Sequence, residues 1–558
     1  MRCSKYLSII CAAAAAGTMT GCAIFSTGEC KDENSMNYPI KIGWAKRSIA
    51  PKEGTAPITG QFYLRVALGQ YTPVLTSAMV MENGSDAVIF VSADMVSVPP
   101  VVLKKVKANL AKEAPEIPGS KIIINATHTH AGPAANGPED APYPNTVDFI
   151  PAGKMQDFIA RQMTDAIKEA WEKRDFGSIS YGYGHAMTGY SRRSVYLDDI
   201  SKREAARPGI AMNGRAKMYG RTNDDMFDGY EAGTETFINL MYTFDKKGKL
   251  TGAVINVPCP SQTVGTAWYL HASFWHNVRE KLSAKYGDIT IITQSAAAGD
   301  LCPQQLHYLQ AEKRRFALKY PEMLKKYMEN PMKYPAGLFP KKENYDAQYA
   351  YDCMEFLRAE DMAQRITEAF DEVLSWAGKE KFCKPELKHE VKTLKLSRRQ
   401  FPKELVEQER ANHENFMKQE FISQGNKYYV LQQNSALNSR RHRCGGVVKR
   451  YEEQAINPKV VTDIHVVKIG NIAFASNRFE LFMDYMHRIQ ARSPFEQTFI
   501  VQLVTDDYGV GSYLATERAI ANKGYSATPY CNQASPEGGQ ELVNATVDVL
   551  KKLKGDKK

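Results

Sequence analysis

The sequence predicts a mixed α/β fold, with layered mixed sheets surrounded by helices and a helical insertion. Three observations carry that expectation. From about Ile40 onward, apolar runs with strand chemistry alternate with amphipathic helical stretches. Composition is globular, at 43% hydrophobic and 24% charged. At 558 residues, the chain is long enough for a large core that needs no disulfide framework.

DAVIFVSADMVSV reads as a strand, and VVLKKVKANLAKEAPE as a helix with apolar spacing of three and four. KIIINATHTH is a buried strand that runs into a polar loop, and MQDFIARQMTDAIKEAWEKR is a second amphipathic helix. SISYGYGHAM, TFINLMYTFD, KLTGAVINVPC and DITIITQSAAAGD follow as strands, so strands first alternate with helices and then cluster. Residues 304–380 change character and read as long helices, an insertion placed to cap a site. Residues 385–455 are polar and carry no clear period. From Val460, strands VVTDIHVVKIGNIAFAS and TFIVQLV flank helix RFELFMDYMHRIQARS, and helix PEGGQELVNATVDVLKKLK closes the chain. The expected organisation is one unit over residues 40–555, with the insertion at about 304–380.

MRCSKYLSIICAAAAAGTMTGC has a basic start, an apolar run too short for a membrane span, and small residues before Cys22. Residues 1–22 read as a signal peptide. The Thr20-Gly21-Cys22 ending resembles a lipobox, which implies export and a lipidated Cys22 at the cell envelope, on the outer membrane or cell surface; an ordinary signal peptide with an incidental Cys is the other reading. Residues 23–39 read as a tether. The net charge of +10 falls near +8 once Arg2 and Lys5 leave with the leader. No Arg-rich block interleaves with aromatics, so the cations describe a solvated surface, not a nucleic-acid footprint. Seven Cys follow Cys22, an odd number with no CxxC pair, which excludes a zinc-finger pattern and leaves at least one thiol free unless it pairs between chains.

Four segments could carry chemistry. In Asn125-Ala-Thr-His-Thr-His-Ala-Gly-Pro133, His128 and His130 leave a strand end two residues apart and share a face, so one can hold a metal while the other meets substrate. Loop histidines bonded to backbone would look the same. In Gln294-Ser-Ala-Ala-Ala-Gly-Asp-Leu-Cys-Pro303, small residues allow close backbone approach, and Cys302 is either a nucleophile beside a His or a buried structural thiol. In Asn477-Arg-Phe-Glu-Leu-Phe, Glu480 is a carboxylate near a helix start. The turn-rich run after Val501 holds Tyr508 and Tyr513.

Together, in this order, these segments resemble the neutral ceramidase family. Its members carry THTHSGP, an NYACHPT-like strand end, QSNxGDxSPN, a PGEPF-like Glu, and an ARSPF…TFVVGLxN…GYxPT run. This chain has ATHTHAGP, INVPCPSQ, QSAAAGDLCPQ, SNRFELF, and QARSPFEQTFIVQL followed by SYLATERA, with GWAKRSIAP similar to the opening strand. The resemblance covers roughly residues 40–303 and 455–553. It implies a zinc amidohydrolase that cleaves the N-acyl bond of a lipid amide. Carried over by position, His128 and Glu480 become zinc ligands and His130 a catalytic His. Asp300 falls in the QSAAAGD segment, and Arg193 of SRRSVY becomes a substrate-side cation. Tyr508 becomes the zinc-side Tyr, with Tyr513 left open by two extra residues near Val510. Three departures stand out: Cys302 replaces a Ser, Pro260 replaces the second zinc His with Cys259 beside it as a candidate ligand, and the usual C-terminal immunoglobulin-like domain has no counterpart. These departures keep a second reading alive, a non-catalytic envelope lipoprotein that binds on the same scaffold.

Overall fold

The computed structural model describes residues 30–31, 39–136, 139, 141–204, 213–330, 334, 337–339 and 342–555. The leader with Cys22, and most of the tether, lie outside the described residues.

The core strands read as nearly continuous apolar runs because they are buried on both faces. Among the described residues the main sheet has eleven strands, eight of them in the order β8-β7-β6-β5-β1-β2-β3-β4. These are β1 (Lys41–Ser48), β2 (Leu75–Glu82), β3 (Ala87–Ala93), β4 (Ile122–Ala126), β5 (Asp175–Ser191), β6 (Glu235–Asp245), β7 (Leu250–Val257) and β8 (Thr290–Ser295). In β3, Ile89 and Val91 face helices α1 (Pro100–Glu113) and α2 (Ala152–Glu172), whereas Val88 and Phe90 face a second sheet. The period of two along each strand makes this division automatic. Helices α3 (Phe274–Tyr286) and α6 (Lys342–Ala377) cover the same outer face over β6 and β7.

The second sheet runs β9 (Leu387–Ser397), β10 (Lys459–Ile469), β11 (Ile472–Ser476), β12 (Gln497–Val501). Its inner side chains Val467, Phe474 and Phe499 pack against the main sheet, and its outer ones pack under α9 (Met483–Arg492) and α10 (Pro536–Lys554). Four layers result: helices, sheet, sheet, helices. The expected mixed α/β architecture of layered sheets is the one observed.

Two stretches refine the expectation. Among the described residues of 304–380, α4 (Leu309–Lys319) and α5 (Pro321–Glu329) precede α6. The second half of α6 is a layer of the scaffold, not a cap, because Met362, Ile366, Phe370 and Val373 are buried against the sheet. The polar region 385–455 holds edge strand β9 and a hairpin of α7 (Lys403–Lys418) and α8 (Lys427–Glu453). Cys383 is disulfide-bonded, while Cys259, Cys302, Cys353, Cys444 and Cys531 are free and buried.

The sheets meet through an aromatic stack: Phe474 lies 4.9 Å from Phe90 and 4.3 Å from Phe499, ring centre to ring centre. Phe474→Ala should destabilise the fold by about 3–5 kcal/mol. Val391→Ala, on the exposed side of β9, should change stability by less than about 0.5 kcal/mol. The shift of the denaturation midpoint in urea separates the two.

Candidate active site

Three pairs of neighbouring parallel strands, β3 with β4, β7 with β8 and β11 with β12, point their carboxyl ends toward one place. Loops after such ends are where open α/β sheets bind ligands. Here they are tied together directly: Ser261 N–H donates to Thr127 O at 3.2 Å, and Gln502 N–H to Ser295 O at 3.1 Å. Gln502 Oε1 also accepts from Ala298 N–H and Leu481 N–H.

The loop after β4 turns on His128, whose φ is 64°. A non-glycine residue there costs on the order of 1–2 kcal/mol. The conformation is held because His128 N–H donates to Met95 O at 2.9 Å and Nδ1 donates to Val96 O at 2.8 Å. A carbonyl can only accept, so Nδ1 carries a proton, and Nε2 is the nitrogen turned toward the site. Beneath the loop, buried Asp94 accepts a bidentate bond from Arg279 at 2.6 and 3.2 Å. Gly132 is obligatory, since a Cβ there would sit 2.2 Å from Asp94 O.

His128 Nε2 faces Glu480 Oε2 at 3.3 Å. Glu480 pairs in register with Tyr513 on a short parallel ladder, which places the two side chains next to each other, and they share a hydrogen bond. Arg192 completes the group. Its Nη2 donates to Tyr513 Oη at 3.2 Å and to Gly299 O at 2.9 Å, and lies 4.0 Å from Glu480. Burial alone would raise the Glu480 carboxyl, but His128, Arg192 and Tyr513 outweigh it and hold it below its ordinary value.

His130 sits beside His128, with ring centres 5.1 Å apart. Its Nε2 accepts from Gln262 Nε2 at 2.8 Å, while Gln262 Oε1 faces Arg192 and the hydroxyl of Tyr219, each at 3.4 Å. Burial first, then the charges of His128, Arg65 and Arg192, hold His130 well below its ordinary value, so its imidazole is neutral.

The sequence-derived residues divide accordingly. His128, His130 and Glu480 come together. Tyr508 does not: it is 51% exposed in a turn where its N–H donates to Asp506, and Tyr513 takes the position beside Glu480. Arg193 points away from the site. Its guanidinium is spent on a buried ion pair with Glu231 and on the carbonyls of Tyr525, Ala519 and Lys523. One residue along the strand reverses the face, and Arg192 is the site cation. Asp300 is a scaffold group whose Oδ1 accepts from Met483 N–H at the start of α9, with its carboxyl pushed up to about 6 by burial. Cys302 donates its S–H to Gln304 O, and burial pushes the thiol up to about 11, the wrong direction for a nucleophile. Cys259 packs in an apolar cluster with its thiol on Pro260 O, and burial raises it well above its ordinary value. Gln262 and Tyr219 were not singled out from sequence. The PCPSQ strand end was a signal for Gln262; Tyr219 had none.

Two solved structures share this architecture. The neutral ceramidase from Pseudomonas aeruginosa is 15% identical, with 93% of this chain and 75% of that chain covered at a TM-score of 0.59. A ceramidase complexed with C2 is 14% identical, with 93% and 76% covered at a TM-score of 0.57. No family model and no curated protein matches the chain. At such identities the likeness is one of fold.

The two neighbouring arginines make separable predictions. Arg193→Ala strands Glu231, 2% exposed along its side chain, without its partner. It should cost about 3–5 kcal/mol, part of which returns in Arg193→Ala/Glu231→Ala. Chemical denaturation of both variants checks this; equal losses in the two would refute the ion-pair account.

Proposed function

We propose that this chain is an exported hydrolase of the ceramidase type, which cleaves the N-acyl C–N bond of a lipid amide. The observation that carries the reading is the convergence of His128, Glu480, Tyr513 and Arg192 where the strand ends of a ceramidase-like fold meet.

The donor set fits zinc. His128 Nε2 and Glu480 Oε2 face each other at 3.3 Å, so a proton or a cation lies between them. Nδ1 is already fixed by Val96 O, the outer-shell bond typical of a metal-bound imidazole. Among the described residues no three His, Cys, Asp or Glu gather to hold a metal, so Tyr513 would complete the three protein ligands usual in catalytic sites. Pro260 offers no side-chain donor, and Arg192 sets a positive charge beside the carboxylate. Both weaken cation binding. When bound, zinc supplies Lewis acidity toward the amide carbonyl and acidifies water.

The chain's own residues do the rest. Arg192, held on Tyr513 Oη and Gly299 O, sets a positive charge beside the group that would stabilise a carbonyl oxygen gaining charge. His130 is neutral and therefore able to take a proton; a water or substrate hydroxyl that displaces Gln262 Nε2 would meet its lone pair. The saturated bond between Gln262 and His130, with Pro260 nearby, favours the competing reading of a binding protein on the same scaffold.

Elemental analysis of the mature protein, with fatty-acid release from a short-chain fluorescent ceramide, separates the two. Wild type should hold zinc and turn over. Glu480→Gln should lose both, the rate by about 100-fold or more, while Cys302→Ser keeps the rate within about twofold. An inert wild type, or full activity in Glu480→Gln, would overturn the reading.

We also propose anchoring at the envelope through a lipidated Cys22. The disulfide at Cys383 supports an oxidising compartment. Fractionation should find wild type with membranes and Cys22→Ser released; equal solubility of the two would exclude the lipid anchor.

A further inference from the structure

One wall of the site comes from α6 and not from the strand ends. Tyr351, Asp352, Glu355 and Arg358 follow one another along a single stripe of that helix. Glu355 is 2% exposed, and both its oxygens lie 3.3 Å from the Gly265 N–H. Gly265 belongs to the loop 258–266 after β7, which also carries Gln262, the partner of His130. The other side of the same residue is fixed too, since Gln61 Nε2 donates to Gly265 O at 2.9 Å. Glu355 shares a further hydrogen bond with Tyr351, and Tyr351 shares one with Gln304, just after Cys302. Tyr351 and Tyr219 are each 44% exposed, so this chain of contacts reaches the open mouth of the site.

We propose that Glu355 is a positioning residue for the reaction proposed above: through Gly265 it sets the loop that carries Gln262, and through Gln262 the imidazole of His130. The inference rests on the hydrolase reading only for its kinetic consequences. The hold of Glu355 on the loop stands without it.

The carboxyl has an unusual environment. Asp352, Tyr351 and Arg358 face it from α6, and Arg358 is itself paired with Glu312 of α4. From the other side come Tyr334 and the buried Arg65, whose Nη donors bond the carbonyls of Ala267, Thr59 and His130. Burial first, then Asp352, push Glu355 up to about 8 against the pull of Arg358, Gly265 N–H and Tyr351. At neutral pH it is therefore a carboxylic acid. Its oxygens accept from Gly265 N–H, and it shares a hydrogen bond with Tyr351. Once ionised, Glu355 is a buried negative charge beside Asp352, and their repulsion strains its hold on the loop. A raised acid holds a proton that the unfolded chain releases. Its stabilising effect is thus full below about pH 4.5 and is lost as pH rises to about 8.

The test uses the full mature protein and its Glu355→Ala and Glu355→Gln variants. Turnover of short-chain ceramide is followed from pH 6 to 9.5, with amide hydrogen exchange of residues 258–268 over the same range. Glu355→Ala should lower kcat by about 30-fold or more with KM within about threefold, and should speed exchange in the loop. Glu355→Gln keeps an acceptor and a donor but cannot ionise. It should recover most of that kcat and remove the wild-type loss of rate and loop protection near pH 8. Wild-type kcat in Glu355→Ala would overturn the proposal. If wild type cleaves no amide, the hydrolase reading fails and exchange alone decides: faster exchange in Glu355→Ala supports the role of Glu355, and unchanged exchange refutes it.

Discussion

The contact between the two sheets governs the rest of the molecule. His128 follows a strand of one sheet and Glu480 a strand of the other, so their 3.3 Å approach exists only because Phe90, Phe474 and Phe499 hold the sheets at one distance and register. Close-packed aromatic layers have few alternative arrangements. A shift of either sheet would open the site before it unfolded the protein. The same packing explains why β3 and β7 read as unbroken apolar runs, since each must satisfy a helix layer on one face and a sheet on the other.

Within that frame the site is a balanced set of buried charges and strained backbone. Burying Arg192 and Glu480 would be costly for either alone. Each offsets the other, with Tyr513 and Gly299 O taking remaining bonds. The left-handed turn at His128 is maintained by two hydrogen bonds to neighbouring carbonyls and by the Asp94–Arg279 pair under the loop. Strain of this kind persists only where its surroundings over-determine it, and here they also fix which imidazole nitrogen faces the carboxylate.

Much of this was legible in the sequence, and the failures have physical reasons. Strand and helix periods gave the layered α/β architecture, and motif order gave His128, His130 and Glu480. Arg193 and Tyr508 were misplaced because one-dimensional spacing does not say which face a side chain takes. Arg192 sits one residue away on the opposite face, and Tyr513 reaches Glu480 only through a ladder between segments some 30 residues apart. Cys302 reads in the sequence as either a nucleophile beside a His or a buried thiol, and burial, which raises this thiol, favours the second. β9 escaped because an edge strand that alternates lysines with buried residues resembles polar coil.

The loop 258–266 is where this chain departs most from the resemblance, and its structure suggests why the departure is tolerated. Pro260 cannot donate a side-chain ligand, and the neighbouring Cys259 is turned into an apolar cluster. The loop is fixed by other bonds: Gln262 to His130, Ser261 N–H to Thr127 O, and the Gly265 peptide held between Gln61 and Glu355. Two of those groups, Gln61 and Glu355, lie outside the segments that carry the motifs. The geometry of the strand ends is thus maintained by contacts from the periphery of the site, among them a helix that the motif pattern alone would treat as an addition to the fold.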